Sequence, residues 1–377
     1  MFVEMALCGK WSAFYRFCIF PYKFEASDNR FPANRTRYNS LFKDNGMKRL
    51  ITLLRHGETV TYDARGDFHR PLTEDGKLNV QRIGAFLEKQ GLYPDLIMAS
   101  PAQRTLHSAE KLHKILFPGI KPAITQDRTL YNADAHALLS ALQGLDEDIQ
   151  HVVLVGHNPG VSALPALIAG ADLRKKRMFP SLKPASMIMI ETTDSWSDLS
   201  PSSGHILQQV DAANVAQDFP WPDKNGTERR KRPAYFYRQS SVIPYRNRKN
   251  EQTGDDIEIL MTLSSGGKHF VIPKGAIDPG LSAVESAIKE AREEAGCMGS
   301  ATEPAIGSYH YQKWGSRCDV EVFAMKVEDL LPDAEWEESH RGREWIDLSR
   351  AIEMVKEEGL RKILKTFREN ALQDQAS

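Results

Sequence analysis

Residues 48–58 read KRLITLLRHGE, and residues 151–160 read HVVLVGHNPG. Each starts as a short apolar run with β-branched members and stops at a histidine flanked by glycine. Runs of that length predict buried strands at 48–54 and 151–155. Two more runs of the kind lie at 96–99 and 187–191. Between them, residues 73–89 place Leu78, Ile83, Phe86 and Leu87 on one side of a helix with Thr73 as N-cap, and residues 103–117 predict a second helix. Strands alternating with helices imply an α/β unit whose mainly parallel sheet is covered on both faces. Ligands of such sheets gather beyond the carboxyl ends of the strands. Arg55-His56-Gly57-Glu58 follows the first strand, Ser100-Pro101-Ala102-Gln103-Arg104 the second and Gly156-His157-Asn158-Pro159 the third. One edge therefore collects two histidines and two arginines. Guanidinium forks match phosphoryl oxygens, and a neutral imidazole nitrogen can attack phosphorus. A single strand-end histidine is usually a satisfied structural residue; two of them among arginines point to phosphate chemistry.

The whole chain bounds this reading. Its 377 residues predict about two to three domains. Forty-nine Lys plus Arg against 50 Asp plus Glu leave a formal net charge of −1, which gives no overall pull toward nucleic acid or an anionic membrane. With 41% hydrophobic and 26% charged residues the composition is that of a globular protein. No apolar run reaches the roughly 18 residues of a membrane span. Cys8, Cys18, Cys297 and Cys318 form no CxxC pair, so neither a zinc site nor a disulfide framework is expected, and a cytoplasmic setting fits. Residues 1–46 stand apart. About one in four is aromatic, against 9% for the chain, with no clear period and with neither a secretory nor a transit-peptide pattern. They read as an appendage or as an over-long start.

The first half resembles the histidine phosphatases, in particular the SixA phosphohistidine-phosphatase branch. The resemblance is carried by Arg55-His56-Gly57-Glu58, Arg70-Pro71-Leu72-Thr73, Ser100-Pro101 with Arg104, Leu130-Tyr131 and Gly156-His157. It implies a phosphoglycerate-mutase-like three-layer α/β domain over residues 47–212. It assigns His56 as the nucleophile that becomes phosphorylated, with Arg55, Arg70, Arg104 and His157 around the phosphoryl group, and it implies no cofactor there. Glu58, Asp63 and Asp67 are candidates for a general acid, though each reads more simply as a solvated loop carboxylate.

After about residue 192 the composition shifts. Residues 194–203 are rich in Ser and Asp, and 213–232 read as a linker ending in the charge run ERRKR. A second pattern then predicts strands at 234–245, 257–263, 269–272 and 319–327, a helix at 282–295 and helical material at 348–367. Glu290, Glu293 and Glu294 fall at i, i+3 and i+4 of the helix, on one face. Three such carboxylates repel one another unless they are solvated, partnered by Lys289 and Arg292, or gathered on a hard divalent ion with oxygen ligands. Residues 275–297 resemble the Nudix box: Gly275, Glu290, Ala291, Glu293, Glu294 and Gly296 are in register, while Leu281 stands where the motif has Glu and Lys289 where it has Arg. The resemblance covers about 233–367 and implies a Nudix α/β/α sandwich, here taken as residues 233–370 before a tail at 371–377. Val271-Ile272-Pro273-Lys274-Gly275 and Arg343-Glu344-Trp345 look most like the diphosphoinositol-polyphosphate and diadenosine-polyphosphate branch. The resemblance implies Mg²⁺ or Mn²⁺ on Glu290, Glu293 and Glu294, substrate contacts at Lys274 and Gly275, and water-driven phosphoanhydride cleavage. Glu290 and the loop carboxylates Glu335, Glu337 and Glu338 all remain open as the base. With the motif pair absent, Glu285, four residues before Lys289, is the expected partner of Lys289.

These readings converge on a two-domain phosphorus hydrolase acting on a phosphorylated small molecule or a phosphohistidine protein, with no nucleic-acid or membrane partner. One rival is a regulatory phosphoprotein phosphatase whose catalytically weak Nudix domain senses a phosphometabolite. Another is a nucleic-acid-associated protein using the basic clusters 174–177 and 229–232, which read more simply as solvated surface. Tyr235, Phe236 and Tyr237 are expected to open the first strand of the second domain, and Cys297 to pack in its core. No signal for an oligomeric state is present.

Overall fold

A computed structural model describes residues 48–121, 123–170, 181–250, 254–264 and 266–376. The N-terminal appendage, Cys8, Cys18 and the 174–177 cluster lie outside the described residues. Strand β1 (Arg49–Arg55) is followed by helix α1 (Glu74–Gln90), β2 (Leu96–Ala99), α2 (Gln103–Leu116), β3 (Thr125–Gln126), α3 (Ala135–Gln143), β4 (His151–Gly156), α4 (Gly160–Ala169), β5 (Met187–Thr192) and β6 (Gly204–Val210). These strands make one sheet in the order β3-β2-β4-β1-β5-β6. The first four are parallel neighbours, so the carboxyl ends of β1, β2 and β4 share one edge. β5 runs antiparallel to β1, and β6 to β5. The expected mainly parallel sheet is thus a mixed one. The connection between β5 and β6 needs no crossover helix; it folds back over Trp196, which is fully buried.

Period-two alternation in β1 explains the layers. Leu50 and Leu54 pack with Val80, Ile83 and Leu87 of α1 and Leu112 and Leu116 of α2. Ile51 and Leu53 face the other way, onto Leu138 and Leu142 of α3 and Val161, Leu164 and Ile168 of α4. Each fully buried aliphatic side chain contributes about 1.5–3 kcal/mol of transfer free energy, enough to fix which helix covers which face. α1 begins where the sequence indicated: the Thr73 hydroxyl accepts from the Gly76 amide.

The stretch expected as a linker is structured. β7 (Phe219–Pro220) and β8 (Arg229–Arg230) pair as a small hairpin, with Phe219 buried. Arg229 and Lys231 of the basic run are exposed, while the half-buried Arg230 guanidinium lies 3.3 Å from the Trp221 ring centroid and pairs with Glu228. Tyr235, Phe236 and Tyr237 do not open a strand, contrary to expectation, but form a 3-10 turn, Ala234–Tyr237. Bulky rings on consecutive residues suit a turn here because Tyr235 and Tyr237 are drawn to different neighbours, Gln81 and Trp221.

The second sheet comprises β9 (Arg238–Asn250), β10 (Gly254–Leu263), β11 (Phe270–Val271), β12 (Lys274–Ala276), β13 (Cys297–Ala301), β14 (Gly307–Lys313), β15 (Ser316–Leu330) and β16 (Arg343–Asp347). β9 and β15 pair in parallel at its centre. Helix α5 (Ala283–Ala295) covers one face through Ala287, Ala291 and Ala295 against Val242, Leu260 and Phe323. Helices α6 (Leu348–Met354) and α7 (Glu358–Ala376) cover the other through Leu348, Ile352, Leu360 and Leu364. The two halves are a three-layer α/β unit and an α/β/α sandwich. Among the described residues no helix is long and apolar enough to cross a membrane.

Candidate active sites

The strand-end histidines and arginines converge. Arg55, His56, Arg70, Arg104 and His157 line one cavity of about 240 Å³, together with Glu58, Thr59, Asn132, Asn158 and Pro184. The His56 and His157 rings lie 5.3 Å apart, centroid to centroid. His56 Nδ1 is 2.7 Å from the carbonyl oxygen of Gly57. A carbonyl only accepts, so Nδ1 carries the proton and the Nε2 lone pair is left for the cavity. Burial drives the His56 pKa down to about 4, the charges of Arg104, Arg55 and Arg70 add to the fall, and the Gly57 hydrogen bond opposes it. The ring is neutral at physiological pH, the state a nucleophile needs.

His157 is held on both sides. Its Nδ1 accepts from Arg104 Nε at 3.3 Å, and its Nε2 lies 2.7 Å from Ser100 Oγ, which is 2.8 Å from Thr105 Oγ1. Burial and the neighbouring Arg104 charge press its pKa down to about 3. Arg55 donates to the Leu182 carbonyl at 2.6 Å and keeps a buried Nε without a partner. Arg70 is fixed by the carbonyl of Val60 and by Thr59 Oγ1.

The three general-acid candidates separate in space. Glu58 is exposed and lines the cavity. Asp63 pairs with Arg65 and does not reach the cavity. Asp67 sits on the arginines: its carboxylate accepts from Arg104 at 2.9 Å, from Arg70 at 2.9 Å and from the Tyr131 hydroxyl at 2.9 Å. Burial acts to raise its pKa, but the bonds from Arg70, Tyr131 and Arg104 hold it at about 2. The sequence offered Asp67 only as a possible acid. Its role as the internal counter-ion of two arginines was missed, although it stands three residues before Arg70.

In the second unit, Glu290 and Glu294 lie against β12. The Lys274 amide donates to Glu294 Oε2 at 2.9 Å. Gly275 passes so close to the Glu290 carboxylate that a Cβ there would displace it. Burial and the neighbouring charge of Glu294 push the Glu290 pKa up to about 8, and no described side chain pairs with it. Glu293 stands apart from them, bonded to Lys289 at 3.0 Å. Among the described residues no three His, Cys, Asp or Glu side chains converge as a ready-made metal cluster. Glu290, without an ion pair, and Glu294, whose charge Arg341 offsets, are nonetheless adjacent hard oxygen donors of the kind a divalent cation takes. Lys274 packs over the Tyr311 ring, its Nζ 5.0 Å from the centroid.

Two expectations are corrected. Glu285 does not partner Lys289: its carboxylate accepts from the Ser282 amide at 2.7 Å, closing a capping box at the start of α5. Capping an orphan N–H outcompetes a weak exposed ion pair. Lys289 instead bridges Glu293 and Asp278, the latter at 3.2 Å. Within the acidic loop, Glu338 is tied to Arg341 at 2.7 Å, and Arg341, which the sequence did not single out, also holds Glu294 at 2.6 Å. Glu335 and Glu337 line a different cavity, of about 380 Å³, between the two units, opposite Arg65, Phe68 and His107.

Comparison with known proteins agrees with both halves. Residues 51–128 match the model of the histidine phosphatase superfamily (branch 1). The chain is 30% identical over 161 residues to Nudix hydrolase 12, mitochondrial, of Arabidopsis thaliana, covering 38% of this chain and 78% of that protein. Among solved structures it is similar to the protein histidine phosphatase SixA complexed with tungstate, at 21% identity and a TM-score of 0.38, covering 44% of this chain and 98% of that one. It is also similar to the C. elegans Ap4A hydrolase, at 23% identity and a TM-score of 0.31, covering 36% of this chain and 98% of that one.

Proposed function

The chain belongs to the Nudix hydrolase family and carries a histidine phosphatase domain ahead of the Nudix fold; from that premise we propose that this hydrolase removes phosphoryl groups through a phosphohistidine at His56 and cleaves a phosphoanhydride at the Glu290–Glu294 pair. The observation that carries the first activity is the neutral, buried His56 whose Nε2 opens onto a cavity ringed by Arg55, Arg70, Arg104 and His157. Nε2 attacks phosphorus, the bond to the leaving oxygen or nitrogen breaks, and the leaving group takes a proton. Water then attacks phosphorus, the P–N bond breaks, inorganic phosphate departs and His56 regains its lone pair. The arginines hold the equatorial oxygens and stabilise the charge that grows on them. Of the three acid candidates Glu58 lines the cavity and would protonate a poor leaving group. Asp67 covers Arg104 and Arg70 until a phosphoryl group replaces it.

In the second unit Glu290 and Glu294, with Glu293 released from Lys289, would hold Mg²⁺ or Mn²⁺, which neutralises phosphate charge and acidifies the attacking water. Lys274 and Gly275 border the same site and would meet the substrate. Its organic part is nucleoside- or inositol-like, and the product of anhydride cleavage suits the first unit as a phosphomonoester. Buried, unpaired Cys297 and Cys318 favour a reducing, cytoplasmic setting.

The test is one preparation assayed twice. With a labelled phosphodonor in chelator, the protein should acquire acid-labile, base-stable label that His56→Ala abolishes. With Mg²⁺ or Mn²⁺ it should cleave members of a panel of nucleoside and inositol pyrophosphates. Label that persists in His56→Ala overturns the nucleophile; absence of metal-dependent cleavage across the panel overturns the second activity.

A further inference from the structure

The residue that departs from the Nudix motif leads across the boundary between the two units. Lys289 Nζ lies 3.2 Å from Asp278 Oδ2 and 3.0 Å from Glu293 Oε2. The other oxygen of Asp278 is 2.6 Å from Nζ of Lys114, in the last turn of α2 of the phosphatase unit. Lys114 and Asp278 side chains are only 8% and 13% exposed. Asp278 is tied to α5 a second time, because its amide donates to Ser286 Oγ at 3.1 Å. The turn that carries Asp278 abuts the phosphatase unit: Gly280, at φ +87°, passes so near the Ile120–Lys121 backbone that no Cβ would fit. Tyr235 adds a hydrogen bond from Gln81 of α1 at 2.6 Å.

His107, Glu110, Lys111 and Lys114 recur at i, i+3, i+4 and i+7 on α2 and form one polar stripe. Here all four are half-buried or buried. The charges of Lys289 and Asp278 both act on Glu110, and Asp278 acts on Lys111, so the stripe faces the Nudix helix. In the motif the family resemblance implies, the helix would be braced by a Glu and an Arg within its own unit. Leu281 and Lys289 remove that brace, and Asp278 with Lys114 of the other unit stands in its place.

We infer that Lys114 is a positioning residue for the Nudix site: through Asp278 and Lys289 it sets where the acidic face of α5 lies, so the phosphatase unit is a structural part of the anhydride-cleaving centre. This rests on the metal reading of Glu290 and Glu294 given above. Without Lys114, the buried Asp278 carboxylate keeps Lys289 as its close partner. Lys289 is then drawn from Glu293, and the carboxylates lose their set relation to β12. Lys114 touches none of the residues around His56, so the phosphatase reaction has no part in the change.

The experiment uses full-length protein and two readouts, Mn²⁺ binding by calorimetry and activity at each site. Lys114→Met should weaken Mn²⁺ binding or lower anhydride turnover roughly tenfold, within the usual range for coupling between sites. His56-dependent phosphatase activity should hold, and Lys114→Arg, which keeps the charge, should recover most of the loss. Asp278→Asn, which keeps the shape, should reproduce Lys114→Met. A purely structural role would lower both activities together, with no recovery in Lys114→Arg, and would overturn the inference. So would Lys114→Met that matches wild type in Mn²⁺ binding and cleavage. Wild-type protein that neither binds Mn²⁺ nor cleaves any anhydride instead refutes the metal reading itself.

Discussion

Lowering the pH tests the nucleophile assignment most sharply. An unperturbed histidine has a pKa of 6.5, whereas His56 is pushed down to about 4 by burial and by three nearby arginines. At pH 5 about 90% of His56 is therefore neutral, against ~3% for an ordinary imidazole, a roughly 30-fold difference in reactive fraction. A neutral acylating reagent isolates this effect, because it attacks only unprotonated imidazole and brings no ionisation of its own. Its rate at His56, followed by peptide mass spectrometry, should stay flat from pH 8 to pH 5 and bend only near pH 4. A midpoint close to 6.5 would refute the account of why His56 is neutral. The sign for stability follows from the same shift. The folded-state pKa lies below the unfolded one, so at high pH both states are neutral and the group costs nothing. As pH falls through 6.5 the unfolded chain takes up the proton first, and stability is lost until about pH 4, where the folded state begins to take it up too. Two and a half pKa units correspond to roughly 3 kcal/mol from this one residue. His157, pressed down to about 3, acts in the same direction. Urea midpoints should accordingly fall between pH 7 and pH 5, and His56→Gln should lessen that fall.

Three other outcomes are expected. Asp67→Asn removes the counter-ion that occupies Arg104 and Arg70, so inhibition by inorganic phosphate should tighten roughly threefold to tenfold, the scale of one ordinary net hydrogen bond, because the Asp67 side chain is half exposed; unchanged inhibition would mean that Asp67 does not compete for the arginines. Glu294→Gln keeps the bond from the Lys274 amide but removes a charge, and should cut metal-dependent anhydride cleavage at least tenfold while leaving His56 labelling intact. Trp196→Ala empties a fully buried site between the β5–β6 connection and the α3–α4 face, which should cost about 3–5 kcal/mol in urea unfolding of the phosphatase unit; a loss under 1 kcal/mol would show that the site collapses.

Much of this was legible in the chain order. Short β-branched runs between helical segments specify strands by local pattern alone. Parallel strands end on one edge as a matter of topology, so the meeting of His56, Arg104 and His157 followed from their places just after strands. The spacing of Glu290, Glu293 and Glu294 on one helix face is likewise a property of 3.6 residues per turn. Local pattern also fixed Thr73 as a cap, since a cap bonds within three residues of itself.

What the tertiary structure decided is what depends on partners far apart in sequence. The destination of Lys289 was undetermined because Glu285, Glu293 and Asp278 all lie within reach of its side chain, and the choice fell to backbone hydrogen bonding at Ser282 and to the docking of Lys114, 164 residues before Asp278. Asp67 could be an acid or a solvated carboxylate until Arg104 and Tyr131 were brought beside it and made it a counter-ion. The stripe 107, 110, 111, 114 carries the same residue types whether it meets water or another unit. A helical sequence records which residues share a face; only packing determines what that face meets, and with it the charge and the freedom of every ionisable group upon it.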